Sequence, residues 1–151
     1  MFAGLRWLVF ALVLCFGAPL AHAEDVQSLK PHQAWSKMER GEMILLDVRT
    51  QAEWYQSGVP KSARLVTLAD PRGAAGFVAG AKKAVRGDLK TPVGVICRTG
   101  NRSAVAAQLL VQAGFKTVYD VPEGVIGNAR DTGWAVRGLP MVSCGDCVPQ
   151  N

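Results

Sequence analysis

The chain has 151 residues, 17 Lys and Arg against 12 Asp and Glu, a formal net charge of +5, and 49% hydrophobic residues. That length suits one compact domain with a real core and excludes two full ones. The basic residues are dispersed, with no run interleaved with aromatics, which argues against nucleic-acid binding and leaves a small anionic partner or plain surface solubility.

Residues 1–23 read as a signal peptide: Arg6, an apolar run from Trp7 to Ala18, then Ala21, His22 and Ala23 as a small-x-small cleavage site. The run is short for a bilayer span, and Glu24 and Asp25 follow without a stop-transfer cluster, so no stable membrane span is expected after cleavage. An uncleaved anchor is the alternative. Cys15 follows Leu14 rather than a small residue and reads as filler, not as a lipidation site. The expectation is export to the periplasm, with a domain over residues 24–143 and a tail over 144–151. Cleavage takes Arg6 and lowers the net charge to +4. It also takes His22, so His32 becomes the only histidine.

Pro31 at a first helical position opens a short helix over residues 31–39, stopped by Gly41. Met43 to Leu46 is an apolar run of strand length ending at Asp47-Val48-Arg49. Residues 51–57 suit a helical turn and 64–68 a second strand. The Gly- and Ala-rich segment from Asp70 to Ala84 is compatible with helix or loop. After the break at Thr91-Pro92, Val93 to Ile96 forms a buried strand stopping at Cys97. Ser103 reads as the N-cap of a helix over residues 104–113, with Val105, Leu109, Ala106, Leu110 and Ala113 at helical spacings and Gly114 as the stop. Residues 116–119 form the next strand, followed by a last helical stretch toward Trp134. The tail after Pro140 reads as irregular. Strands alternating with helices indicate an α/β fold, a central parallel sheet with helices on both faces, and ligands in such sheets bind beyond the carboxyl ends of the strands. Cys97 stands at one of those ends.

Three cysteines survive cleavage. Cys144 and Cys147 form a Cys-x-x-Cys whose spacing suits either a small structural disulfide or a dithiol relay. Two thiols and one distant histidine fall short of a zinc site, and nothing in the pattern asks for a metal or another cofactor. Cys97 is the thiol left over. A lone cysteine ending a strand is ordinarily a core residue. Here it opens Cys97-Arg98-Thr99-Gly100-Asn101-Arg102-Ser103, and two arginines and a glycine poorly suit a dry core. Thiolate is the nucleophilic form of cysteine, and the N–H groups and positive dipole end of the following helix favour it. Gly100 permits the turn that aims loop amides inward, while Arg98 and Arg102 can meet an anion through forked hydrogen bonds.

That heptad resembles the active-site loop of the rhodanese family, Cys-Arg-x-Gly-x-Arg-Ser. The resemblance extends to Leu45-Leu46-Asp47-Val48-Arg49 with Glu53 and Trp54, to Val121-Pro122-Glu123-Gly124, and to Trp134 with Gly138-Leu139-Pro140. It implies a rhodanese-like fold and a single-domain sulfurtransferase of thiosulfate sulfurtransferase type. Cys97 would carry sulfane sulfur as a persulfide between a small anionic donor and a thiol, cyanide or protein acceptor, residues 98–103 would bind substrate, and Asp47 and Arg49 would brace the site. The Asp47–Arg49 pair also suits a surface ion pair of small worth. One departure is Ser57-Gly58-Val59-Pro60-Lys61-Ser62, which lacks the histidine the family often has there, so altered local packing is expected. Cysteine phosphatases place their arginine six positions after the cysteine; here Arg102 falls one short, and a shorter loop favours sulfur over phosphate. A sulfur-carrier or partner-binding module with little turnover of its own is the other alternative.

Overall fold

The structure, a computed structural model, describes residues 26–150. The signal-peptide reading lies outside them. Eleven elements follow in order: β1 (Gln27–Ser28), α1 (Pro31–Glu39), β2 (Ile44–Asp47), α2 (Gln51–Ser57), β3 (Val59–Pro60), β4 (Arg64–Leu65), α3 (Ala74–Ala84), β5 (Val93–Ile96), α4 (Asn101–Gln112), β6 (Val118–Asp120) and β7 (Met141–Val142).

Five strands make a parallel sheet in the order β1-β6-β5-β2-β4, and all four residues of central β5 are buried. A strand covered on both faces reads as an unbroken apolar run, as Val93 to Ile96 does. On one face Leu46, Val48, Val93 and Val95 pack against Phe77, Ala81 and Val85 of the α3 region and Ala106, Ala107 and Leu110 of α4. On the other, Leu45 and Ile96 meet Ala34 of α1 and the returning chain at Val121, Val125 and Trp134. Helices therefore cover both faces. A third cluster joins Trp54 of α2 to Val59, Leu65 and Cys144.

Three expectations need correction. Helix α4 begins at Asn101, and its N-cap is Gly100 rather than Ser103. Gly100 sits at φ +102°, which turns the chain sharply enough for the helix to start directly after it. Ser103 is then a buried first-turn residue whose hydroxyl donates back to the Gly100 carbonyl at 2.9 Å. No helix forms toward Trp134: the chain runs there in turns, pinned by Trp134 N–H donating to Gly124 O at 2.9 Å and Asn128 N–H to Asp131 O at 2.9 Å. Finally, the tail is not irregular throughout, since β7 pairs antiparallel with β3. That pairing accounts for the stretch lacking a histidine: a Cβ on Gly58 would lie 2.5 Å from the Val142 carbonyl oxygen.

The Asp47–Arg49 pair is not on the surface. Asp47 is 0% and Arg49 1% exposed, and Arg49 grips the carboxylate through Nε at 2.9 Å and Nη2 at 2.6 Å. Arg49 also donates to Ser57 Oγ at 2.6 Å and to Gly58 O at 2.7 Å, tying the end of β2 to the end of α2.

Candidate active site

Cys97 follows β5 directly, and the chain must pass from strand to helix within the four residues that separate Ile96 from Asn101. In that turn every carbonyl is taken from outside. Cys97 O accepts from Val125 N–H at 2.9 Å and Arg98 O from Ile126 N–H at 3.1 Å. Thr99 O accepts from the Asn128 side-chain amide at 3.3 Å. Gly100 O accepts from Ala104 N–H at 3.3 Å and from Ser103. With the carbonyls committed away from the sulfur, the amides are left for it, and Gly100 N–H donates to Cys97 Sγ at 3.1 Å. Asn101 and Arg102, as the first residues of α4, have N–H groups with no acceptor within the helix. The loop and the helix start thus form a cradle suited to negative charge on sulfur.

The loop is seated by two close backbone approaches. A Cβ on Gly100 would run into the Pro122 carbonyl oxygen, and one on Gly124 into that of Arg98. Cys97 itself is 1% exposed and is not disulfide-bonded. Arg98 and Asn101 are exposed, Thr99 and Arg102 half-buried, and Gly100 and Ser103 buried. Arg102 does not point freely at an incoming anion. Its guanidinium holds Glu53 in a fork, Nη1 to Oε2 at 2.7 Å and Nη2 to Oε1 at 2.5 Å. The loop cation left without an ion-pair partner among the described residues is Arg98.

Glu53 is consequently a junction. Its carboxylate accepts from Thr50 N–H at 2.9 Å in a capping box at the start of α2, while its far side meets Arg102 from α4. Hydrogen bonding to Arg102 holds the Glu53 carboxyl at about 2, well below the ordinary carboxylate range. A depressed folded-state pKa contributes stability that is complete above the unfolded value, about 4.3. That contribution is lost as pH falls toward 2. Urea midpoints of the protein and of Glu53→Gln should therefore converge as pH falls through this window. A gap that stays constant would show that the pairing does not set the acid sensitivity.

No side-chain hydrogen bond joins Asp47 or Arg49 to residues 97–103, although the Asp47 charge acts on Arg102. The pair also acts on the loop through α2, since Ser57, which Arg49 binds, donates to Glu53 O at 2.9 Å. The Cys144 and Cys147 sulfurs are bonded to each other. Cys144 is buried against Trp54, Val59 and Leu65, and Cys147 O accepts from Gln51 at 2.8 Å and Tyr55 at 3.1 Å. The disulfide staples the tail to α2. Among the described residues no group of three His, Cys, Asp or Glu side chains could hold a metal ion. No described helix is long and apolar enough to cross a membrane.

Glu53's pairing, Asn128 and Asp120 went unassigned by sequence reasoning. Glu53 was seen only as part of a resemblance. Asn128 joins Thr99 O from 29 positions away and also donates to Pro122 O at 3.2 Å. Asp120 ends β6 beside the loop, 7% exposed, and the alternation of its strand gave no sign that a carboxylate would be covered.

The profile described as Rhodanese-like domain matches residues 30–127, a span that contains the cradle and the sheet strands β2, β4, β5 and β6. The chain belongs to the rhodanese-like family. "Uncharacterized protein RP600" of Rickettsia prowazekii is 33% identical over 99 residues, covering 64% of this chain and 80% of that protein. "Thiosulfate sulfurtransferase GlpE" of Pseudomonas savastanoi pv. phaseolicola is 35% identical over 100 residues, covering 66% of this chain and 84% of the relative. Among solved structures, Rv0390 from M. tuberculosis superposes with a TM-score of 0.64 at 32% identity, covering 79% of this chain and 98% of that one. A rhodanese-like domain of sulfurtransferase kinship built on a five-stranded parallel sheet therefore accounts for the fold and for where the cradle sits.

Proposed function

We propose that this rhodanese-like protein moves sulfane sulfur from a small anionic donor such as thiosulfate to a thiophilic acceptor through a persulfide on Cys97. The observation carrying this reading is a buried sulfur at the start of α4, accepting from Gly100 N–H, in a turn whose carbonyls are all engaged elsewhere. Cys97 thiolate attacks the outer sulfur of the donor. The Sγ–S bond forms, the donor's S–S bond breaks, and sulfite leaves with the electron pair. Amides of residues 98–102 stabilise the persulfide anion. An acceptor nucleophile then attacks the outer sulfur, the Sγ–S bond breaks, and Cys97 returns as thiolate. Arg98 attracts the donor, whereas Arg102 positions the loop through Glu53.

Export through removal of residues 1–23 is part of the same proposal, supported by the leader pattern and by a disulfide, which suits an oxidising compartment. The experiment is intact-protein mass spectrometry of the chain lacking its leader, after thiosulfate and again after cyanide. A gain of one sulfur atom, lost with cyanide, is the expected result. No gain favours a carrier loaded only by a partner protein.

The disulfide is read as structural. Cys144→Ser should lower stability, through a polar atom placed against Trp54, while leaving thiosulfate-to-cyanide turnover within about twofold. A loss of an order of magnitude or more in turnover at unchanged stability would favour a relay of sulfur through the tail.

A further inference from the structure

The carbonyls of Cys97, Arg98 and Gly100 each accept a backbone N–H, whereas that of Thr99 is held by a side chain, the Asn128 amide at 3.3 Å. Thr99 O and Gly100 N belong to one peptide unit. Because that unit is planar and trans, its C=O and N–H point in opposite directions. Asn128 therefore grips one end of a rigid plate whose other end, Gly100 N–H, donates to Cys97 Sγ at 3.1 Å.

Gly100 cannot secure this plate by itself. Its missing Cβ lets the backbone close on the Pro122 carbonyl, and it equally lets φ change sign. Rotation of the plate about its two flanking bonds would carry Gly100 N–H off the sulfur and present Thr99 O instead, an acceptor facing negative charge. The Asn128 amide opposes that rotation because it also donates to Pro122 O at 3.2 Å, bridging the two carbonyls. Its own orientation is fixed from behind: Oδ1 accepts from Arg130 N–H at 2.9 Å and from Asp131 N–H at 3.1 Å. The reverse orientation would set the amide NH2 against two donors and its oxygen against two acceptors. The segment is rooted as well, since Asn128 N–H donates to Asp131 O at 2.9 Å and Gly133 N–H to Glu123 Oε2 at 3.3 Å.

We propose that Asn128 is a positioning residue for the sulfur chemistry, holding Gly100 N–H on Cys97 Sγ from the opposite end of the Thr99–Gly100 peptide. Its effect on sulfur transfer rests on the persulfide reading above; its effect on the amide does not. Asn128 is exposed, so water competes for its hydrogen bonds and the expected effects are those of one modest bond.

The test uses two variants. In Asn128→Ser the hydroxyl can still accept from the Arg130 and Asp131 N–H groups but ends one bond short of the bridged carbonyls. In Asn128→Asp the second oxygen faces those carbonyls without a proton to share. Hydrogen exchange followed by NMR, in protein never given thiosulfate, should show Gly100 N–H exchanging about fivefold faster in Asn128→Ser and at least about tenfold faster in Asn128→Asp. Val125 and Ile126 N–H, which hold the neighbouring carbonyls, should exchange at unchanged rates. Intact-mass time courses with thiosulfate should show the maximal rate of sulfur gain on Cys97 falling by similar factors. The half-saturating thiosulfate concentration should stay within about twofold, since Arg98 is untouched. An unchanged Gly100 rate in folded Asn128→Ser overturns the proposal, as does an equal acceleration at Val125 and Ile126, which would mark a general loosening. So does faster Gly100 exchange with sulfur gained as fast as before. Should Asn128→Asp fail to fold, Asn128→Ser decides. Unaltered protein that gains no sulfur sinks the persulfide reading instead, and the exchange rates then decide by themselves whether Asn128 holds Gly100 N–H.

Discussion

Cys97→Ser should abolish sulfur loading and lower thiosulfate-to-cyanide turnover by at least about a thousandfold, some 4 kcal/mol of barrier. The reason is chemical rather than structural. A hydroxyl can keep the hydrogen bond from Gly100 N–H that the sulfur accepts at 3.1 Å, and it fits the same volume among Val48, Val95 and Ala107. Its oxygen, however, stays protonated near neutral pH and does not displace sulfite to hold sulfane sulfur. Stability should fall by about 1 kcal/mol or less. The pair of measurements is intact mass after thiosulfate and the urea midpoint. Turnover surviving in a folded Cys97→Ser protein would remove Cys97 from the reaction.

The second large effect is on folding. Arg49→Ala leaves the Asp47 carboxylate in a place with 0% exposure and without its ion-pair partner, and it removes the donors that Arg49 supplies to Gly58 O and Ser57 Oγ. Breaking a buried pair from one side costs about 3–5 kcal/mol. Against a typical total of about 5–15 kcal/mol, that brings the domain close to unfolding. Replacing both partners together, Asp47→Leu with Arg49→Met, should restore much of the loss, because no lone charge remains. Urea titration of the single and double variants distinguishes the cases: a single-variant cost below about 1 kcal/mol would mean that water reaches Asp47 on relaxation. Since Arg49 holds the end of α2 and α2 carries Glu53, the double variant should regain stability more fully than activity.

The parts of this protein that could be read directly are those whose cause is local. The unbroken apolar run Val93 to Ile96 has the length and composition of a covered strand, and Pro31 and Gly41 bracket α1. The heptad 97–103 could be placed at a strand end because its charge pattern conflicts with a dry core. What escaped depends on long-range encounters. Ser103 carries the chemistry of a helix cap, yet Gly100 in its left-handed conformation starts the helix three residues earlier and turns that hydroxyl inward. Arg102 looked like an anion ligand because its partner, Glu53, stands 49 positions away. Asp47 and Arg49 could be read either as a brace for the site or as a surface ion pair, because nothing two residues apart reveals that both are buried. Asn128 sits in a turn with ordinary loop composition, and only the fold brings its amide to Thr99 O.

The family match ends at residue 127, while the physical unit extends further. Trp134 is fully buried, packs edge-on against Trp35 at 6.1 Å and donates to Pro140 O at 3.1 Å. Beyond it, β7 closes on β3 and Cys144 plugs the space beside Trp54. An expression fragment trimmed to the matched span would therefore bare two tryptophan faces and an unpaired strand edge, surfaces that invite aggregation. A homology boundary marks where a family match stops, and in this chain the last 20 or so described residues lie beyond it yet supply Trp134 and Cys144 to the packed interior.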